Sequence, residues 1–332
     1  MQKKRVVVIG GGTGTHTVLS GLKKYQKELD ITAIVTMADS GGSTGRLRDE
    51  FGYLPVGDVR MALAALAGDI YKNDRLVRKL LLYRFNKGNG LSGHTLGNLL
   101  LVALTDILGS EEKAIRATGE MLKISGKVLP VTTEKTDLVA TYTDGTTITG
   151  EHEIDEPTNV TNNKRIKKLT IKPSAKISKT AQSAILNSDM VVLGPGDLYT
   201  SVLANCVIDG VARAIGESKS DIIYISNLMT RQGQTTNMGV DDHVNEIHNY
   251  IGCMPKYVLV NKTPLPKELL EKYATEGEYP VKMDLNTNKT SIISDDLLSE
   301  QIIQTVKGDV LKRSLIRHDP DKLARKIVDL LL

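Results

Sequence analysis

The run VVVIGGGTGTHTVLSGL, from Val6 to Leu22, sets the strongest limit on what this chain can fold into. It reads as an apolar strand, a glycine turn and a helix start, the layout with which α/β proteins hold a phosphate. Gly10, Gly11, Gly12 and Gly14 allow a tight turn and a close approach of backbone to ligand. Thr13 and Thr15 can cap the helix and offer hydroxyls, and the first helical N–H groups, Thr15 to Val18, would point at an anion. A buried turn with no ligand would need the same residues for packing alone. The place of the turn, at the first strand-to-helix junction, favours nucleotide or phosphate binding. A strand over Arg5–Ile9, a helix over Thr15–Leu29 and a strand over Ile31–Thr36 would make one right-handed parallel βαβ unit.

The rest of the composition narrows the class. Aromatics are scarce, with no Trp and two Phe, which argues against stacking platforms for single-stranded nucleic acid. A net charge of +4 is too small to imply a polyanion partner. The longest apolar runs, such as LGNLLLVALTDIL, fall short of a membrane span, and the opening MQKKR-VVVIG breaks too early for a signal peptide. Cys206 and Cys253 match no metal or redox spacing and read as reduced, which points to the cytoplasm. His243 and His248 are too far apart for a zincin-like pair.

Along the chain, the stretch ADSGGSTGRLRDEFGYLPVGD reads as a long functional loop. Helical spacing then runs through Val59–Leu66, Leu76–Phe85, Leu96–Leu108 and Lys113–Ile124. Leu138–Tyr142 and Thr146–Thr149 flank Asp144-Gly145, a hairpin signal, and residues 126–173 are taken as a β-rich insertion. The basic run Lys164–Lys168 reads as a lysine-guarded strand edge. Alternation resumes with helices over Ala181–Asn187, Ser201–Gly216 and Asp241–Ile251. Strands are expected over Met190–Leu193, Ile222–Ser226 and Tyr257–Val260. Pro320–Leu331 closes the chain as an amphipathic helix after Asp319.

An ordinary dinucleotide binder would carry glycine where Thr15 stands, and no Gly-Lys-Ser/Thr exists for a phosphate-loop ATPase. Asp39 lies where a ribose-binding acid would fall, but Ser40, Gly41, Gly42, Ser43, Thr44 and Gly45 follow as a second glycine-hydroxyl nest. Arg46 and Arg48 could fork onto a phosphate or serve as surface charge. Asp58 reads either as a helix N-cap or as the partner of Asp39 in a carboxylate pair for a divalent cation or a general base. His94 precedes a helix, with Asn98 one turn later. VVLGPGDLYTSVL repeats the opening logic with Gly194, Pro195 and Gly196, then hydroxyls at Tyr199, Thr200 and Ser201. Two such turns facing each other across a switch-point crevice suit a diphosphate. The polar loop Asn227–Asn237, with Arg231, suits sugar or base recognition, or is plain surface.

The set GGGTGT, ADSGGSTGRLR, PVGDVR, GHTLGN, LGPGDLYTS and ISNLMT, spread from Ile9 to about Asn261, resembles the YvcK-type gluconeogenesis factors of the CofD-like superfamily. That resemblance implies a cytoplasmic protein supporting cell shape during gluconeogenic growth, and binding of a UDP-sugar such as UDP-N-acetylglucosamine. The CofD branch transfers a phospholactyl group from a nucleotide diphosphate to a deazaflavin with a divalent metal. By resemblance, Asp39 and Asp58 fall on that branch's acidic positions, and Gly11–Gly14 and Gly194–Ser201 on its phosphate-facing turns. Two features depart from the transferase pattern. Asp39-Ser40 stands where many relatives have two successive Asp, and glycines replace bulkier residues of the deazaflavin branch.

The expected fold is α/β, a Rossmann-like, doubly wound, mainly parallel sheet in one CofD-like domain over 1–332, with the β-rich insertion inside it. The expected ligand set is Gly11, Gly12, Thr13, Gly14, Thr15, Asp39, Ser40, Gly41, Gly42, Ser43, Arg46, His94, Asn98, Gly194, Pro195, Gly196, Ser201 and Asn227. The first functional expectation is a nucleotide-sugar binder without turnover, forming a homodimer, whose binding survives chelation of metal. The alternative is a Mg²⁺-dependent phospho-group transferase with Asp39 and Asp58 as metal ligands and catalytic groups. A pure interaction scaffold would leave both glycine nests idle. A β-branched residue at Gly196 is expected to weaken ligand more than fold.

Overall fold

The computed structural model describes residues 2–68, 74–156, 164–285, 287, 289–300 and 315–332. The opening strand β1 (Lys4–Gly10) buries Val6, Val7, Val8 and Ile9 on both faces, as a central parallel strand requires. Extended Gly11 leads into α1 (Gly12–Leu22), followed by β2 (Leu29–Val35), α2 (Gly42–Phe51), α3 (Gly57–Leu66) and α4 (Asp74–Leu82). Thr95 caps α5 (Leu96–Leu108) by accepting the Asn98 N–H. Ser110 caps α6 (Glu111–Met121) in the same way, with Glu111 and Glu112 in its first turn. Next come β3 (Lys127–Pro130), β4 (Asp137–Tyr142), β5 (Thr147–Thr149), α7 (Glu151–Asp155) and β6 (Ile166–Lys172). The second half runs α8 (Lys179–Leu186), β7 (Met190–Leu193), a π-type turn Leu198–Leu203, α9 (Ala204–Cys206), α10 (Val211–Glu217) and β8 (Asp221–Ile225). It ends with α11 (Val240–Ile251), β9 (Tyr257–Asn261), α12 (Lys267–Thr275), β10 (Ser291–Asp295) and α13 (Pro320–Leu331), the last capped by Asp319.

Among the described residues, seven strands form one sheet in the order β10-β9-β8-β7-β1-β2-β3, every pair parallel. The chain therefore winds outward from β1 in one direction, then returns to start again at β7 on its other side. This is the Rossmann-like doubly wound arrangement, and its switch point lies between β1 and β7. Right-handed crossovers in opposite directions put helices on both faces: α1 packs with α3 and α13, and α10 packs with α8 and α11. A separate three-stranded antiparallel sheet, β5-β4-β6, makes up the expected β-rich insertion; its residues 157–163 lie outside the described set. No helix among the described residues is long and apolar enough to cross a membrane.

Several boundaries differ from the sequence reading. Helix α1 begins three residues before Thr15, because Gly12 at φ 61° already turns the chain, and it ends at Leu22 in a 3₁₀ turn before β2 takes up Leu29. The supposed long loop contains α2, whose Gly52 closes it in the left-handed conformation at φ 71°. Lys127–Pro130, taken as part of the insertion, pairs instead with β2 in the main sheet. The single helix expected over Ser201–Gly216 is broken into the π-type turn, α9 and α10. Gly210 at φ 93° forces the last break. Helix α12 and edge strand β10 carry too little periodic signal to be seen in sequence.

A carboxylate-lined candidate site at the strand switch point

The turns after β1 and β7 touch. A Cβ on Gly14 would overlap the Pro195 carbonyl, so only glycine lets the two backbones meet. Two amides lock this joint. Asn205 donates to the Gly10 carbonyl at 3.2 Å and the Ser201 carbonyl at 2.8 Å. Asn227 donates to the Gly196 carbonyl at 2.7 Å and accepts from the Tyr224 hydroxyl at 3.0 Å. The Asn227 amide thereby holds the turn, with one N–H and one lone pair left over. Ser201 looks across at Gly12, where a Cβ would lie 3.9 Å from its Oγ. Thr15 turns inward under Gly10, 1% exposed, so it cannot reach a ligand in the crevice.

Asp58 is not the N-cap of α3. It sits in the first helical turn, Val56 holds the cap position, and its Oδ1 accepts the Gly12 N–H at 2.8 Å. Asp39 accepts the Gly41 N–H at 2.9 Å and the Thr44 hydroxyl. It presses so close to α3 that a Cβ on Gly57 would overlap its Oδ2. Burial and the charge of Asp39 push the Asp58 carboxyl up to about 7; the Gly12 N–H and Arg60 pull the other way. Burial raises Asp39 as well. Two facing carboxylates at the starts of α1, α2 and α3 gain from three helix dipoles and repel each other. The N–H groups of Thr13 and Gly14 in α1, and of Ser43 and Thr44 in α2, have no acceptor among the described residues.

A buried polar chain holds the start of α2. The Ser43 hydroxyl meets His94 Nδ1 at 3.1 Å and accepts from Asn98 Nδ2 at 3.2 Å and the Thr95 N–H at 3.4 Å. With both lone pairs of Ser43 so engaged, its proton goes to Nδ1, leaving His94 neutral with the proton on Nε2. Burial first, then Arg46, keep the His94 pKa below its ordinary value, in agreement. Asn98 also donates to Thr44 Oγ1 at 3.4 Å and accepts from Arg60 Nε at 2.8 Å. His94 and Asn98 thus each bond the Ser43 hydroxyl, and the three together position α2 and Arg60. Arg46 donates to the Ser92 carbonyl at 3.0 Å, and Arg48 pairs with Asp137 of β4 at 2.5 Å; neither points at the joint.

The insertion lays α7 across the crevice, which no motif foretold. His152 donates its N–H to Ser40 Oγ at 3.0 Å, and Glu151 accepts from the Ser40 N–H at 3.4 Å. Burial, then Asp39 and Asp155, hold the Glu151 carboxyl well above the usual range. At the far end of α7, Asp155 pairs with Arg231 at 3.4 Å, and Arg231 pairs with Glu278 at 3.2 Å. Burial opposes the Arg231 charge, but Asp155, Asp197 and Glu278 raise its pKa above the ordinary arginine value. Burial, then Asp155, pushes Asp197 up to about 6. The sequence reading missed Glu151, His152, Asp155, Asp197 and Glu278. Only Asp197, in LGPGDLYTS, lies inside one of the glycine motifs, where its acid side chain is the signal.

The pair Asp39 and Asp58 suits Mg²⁺, which binds through one or two carboxylates and completes its shell with water and ligand phosphates. No group of three or more His, Cys, Asp or Glu among the described residues is arranged to hold a metal without such help.

Fold and crevice define a Rossmann-type protein of the doubly wound class, with its candidate site at the switch point. The family model described as 2-phospho-L-lactate transferase CofD matches residues 6–298. The gluconeogenesis factor of Bacillus subtilis (strain 168) is 39% identical over 99% of each chain. That of Halalkalibacterium halodurans is 39% identical over 99% of this chain and 97% of its own. A crystallised Bacillus halodurans protein of the upf0052 family has a TM-score of 0.86 and 37% identity, covering 99% of each chain. The chain belongs to the CofD family, among relatives named gluconeogenesis factors.

Proposed function

We propose that the switch-point crevice binds a nucleotide-diphosphate ligand of the nucleotide-sugar class, UDP-N-acetylglucosamine being the first to test. The protein would act through that binding in envelope metabolism and cell shape under gluconeogenic growth. The contact between Gly14 and Pro195 carries this reading, since it joins two glycine turns beside the start of α1. The free N–H groups of Thr13, Gly14, Ser43 and Thr44 supply donors for phosphate oxygens. The chain would work in the cytoplasm, as a homodimer.

The carboxylates revise one expectation. Asp39, Asp58 and Glu151, once ionised, would repel a diphosphate, so above neutral pH binding should need a divalent cation rather than survive chelation. Mg²⁺ held by Asp39 and Asp58 would neutralise charge on the ligand's phosphates. Arg60, steadied by Asn98, adds fixed positive charge nearby. The same carboxylate pair, were it to hold Mg²⁺ against the phosphates, favours a second reading, a transferase acting on a nucleotide diphosphate.

Calorimetric titration against nucleotides and nucleotide sugars, with Mg²⁺ or with a chelator, tests the binding. Product analysis after long incubation separates binder from transferase. Metal-dependent turnover lost in both Asp39→Asn and Asp58→Asn would establish the second reading; a protein that binds no nucleotide would end both.

A further inference from the structure

Donors and acceptors divide the crevice into two unlike ends. At the starts of α1 and α2, backbone N–H groups face inward without acceptors among the described residues. Beyond Gly196 the balance reverses. Asp197 is partly exposed, and its carboxylate accepts no hydrogen bond from any described residue. Asp155, whose charge acts on Asp197, is held in turn by Gln234, which is 1% exposed and donates through Nε2 to the Ile154 carbonyl at 3.4 Å and to Asp155 Oδ1 at 3.0 Å. The Oε1 of Gln234 is buried with no partner in the described structure, an arrangement that native proteins rarely leave unexplained. The strong donor at this end, Arg231, is already divided between Asp155 and Glu278.

We propose that Asp197, backed by Gln234 and Asp155, forms the subsite that accepts the hydroxyl groups of a sugar carried on the diphosphate ligand. This inference rests on the nucleotide-sugar reading above and adds to it the place and the chemistry of recognition. A phosphate is a poor occupant here, because three carboxylates surround the position and the guanidinium is taken. A sugar brings several neutral donors, which is what a surplus of acceptors requires. Position agrees with chemistry. Asp197 directly follows Gly196, so a group attached beyond a phosphate at the Gly14–Gly196 joint arrives at its carboxylate. Helix α7 then forms the outer wall of the subsite through Asp155, which gives the insertion a part in recognition. A hydroxyl bonded to a carboxylate in such a setting is a charge-assisted contact, about twice as strong as a neutral one.

The test is calorimetric titration of UDP and of UDP-N-acetylglucosamine, both with Mg²⁺, into wild type, Asp197→Asn and Asp197→Ser. A thermal melt of each variant establishes that it is folded. Wild type should bind the sugar nucleotide more tightly than UDP. Asp197→Asn should weaken the sugar nucleotide about tenfold or more while changing UDP less than about twofold. Asp197→Ser, shorter and uncharged, should do the same if Asp197→Asn proves poorly folded. Equal loss for both ligands would place Asp197 at the phosphate or cation end and overturn the subsite, as would no loss for either. Wild type that binds UDP as tightly as the sugar nucleotide would overturn the subsite and leave diphosphate binding intact. Wild type that binds neither would defeat the nucleotide reading itself and the subsite with it.

Discussion

The Asp58 carboxylate takes the Gly12 N–H at 2.8 Å and so ties the first turn of α3 to the first turn of α1. One donor of the glycine nest is therefore filled by the protein's own acid. The crevice combines anion-binding helix starts with carboxylates, a mixture that a phosphate and a cation together satisfy and either one alone does not.

Gly12→Ala should separate ligand from fold. Gly12 is left-handed at φ 61°, and its added methyl would meet only Ser201 Oγ at 3.9 Å. The strain is about 1–2 kcal/mol, so the variant should fold with a modestly lower melting temperature. The methyl stands inside the joint, however, and affinity for UDP-N-acetylglucosamine should fall about tenfold or more. Gly196→Val is a poorer probe than the sequence suggests. At φ 150°, with Ser201 Cβ 3.1 Å from an added Cβ, it should injure the fold as well.

Asp58→Asn should stabilise the protein without metal at alkaline pH. The folded carboxyl is raised to about 7 from 3.8, so its stabilising contribution is complete below pH 3.8 and is lost as pH rises through 7. Melting temperatures measured with chelator should favour the variant at pH 8, and the advantage should shrink toward pH 5. Saturating Mg²⁺ together with UDP-N-acetylglucosamine should reverse the order at pH 8 by stabilising wild type more than the variant.

Asn98→Ala should cost about 2–3 kcal/mol in denaturant melts, since it strips a buried partner from Ser43, Thr44 and Arg60 together. Binding should weaken too, because α2 and Arg60 lose their support.

The fold was largely legible, and the reason is local. Continuous apolar strands bounded by glycine turns at Gly10–Gly14 and Gly194–Gly196 announce a parallel sheet and its switch point without reference to distant residues. The site was half legible. Asp39 and Asp58 fell in glycine-rich motifs, but whether a motif residue faces the ligand or supports the turn depends on contacts across the fold. His94 and Asn98 bond Ser43 some fifty residues away, which spacing cannot reveal. Glu151 and Asp155 were invisible because the insertion reaches the crevice only through tertiary packing.

His318 should govern part of the acid sensitivity. It is 6% exposed with Nε2 unpartnered, and burial lowers its pKa to about 4 from 6.5. Neutral His318 is tolerated and charged His318 is not, so stability is present above pH 6.5 and is lost as pH falls through 4, by about 3 kcal/mol. His318→Gln should flatten the fall in melting temperature over that interval relative to wild type.

The most direct measurement is a crystal structure of the protein with UDP-N-acetylglucosamine and Mg²⁺. The expected result puts the diphosphate at the Gly14–Gly196 joint, within hydrogen-bond distance of the Thr13 and Gly14 N–H groups, with Mg²⁺ on Asp39 and Asp58. A ligand bound away from the carboxyl ends of β1 and β7, with that joint still open to solvent, would contradict it.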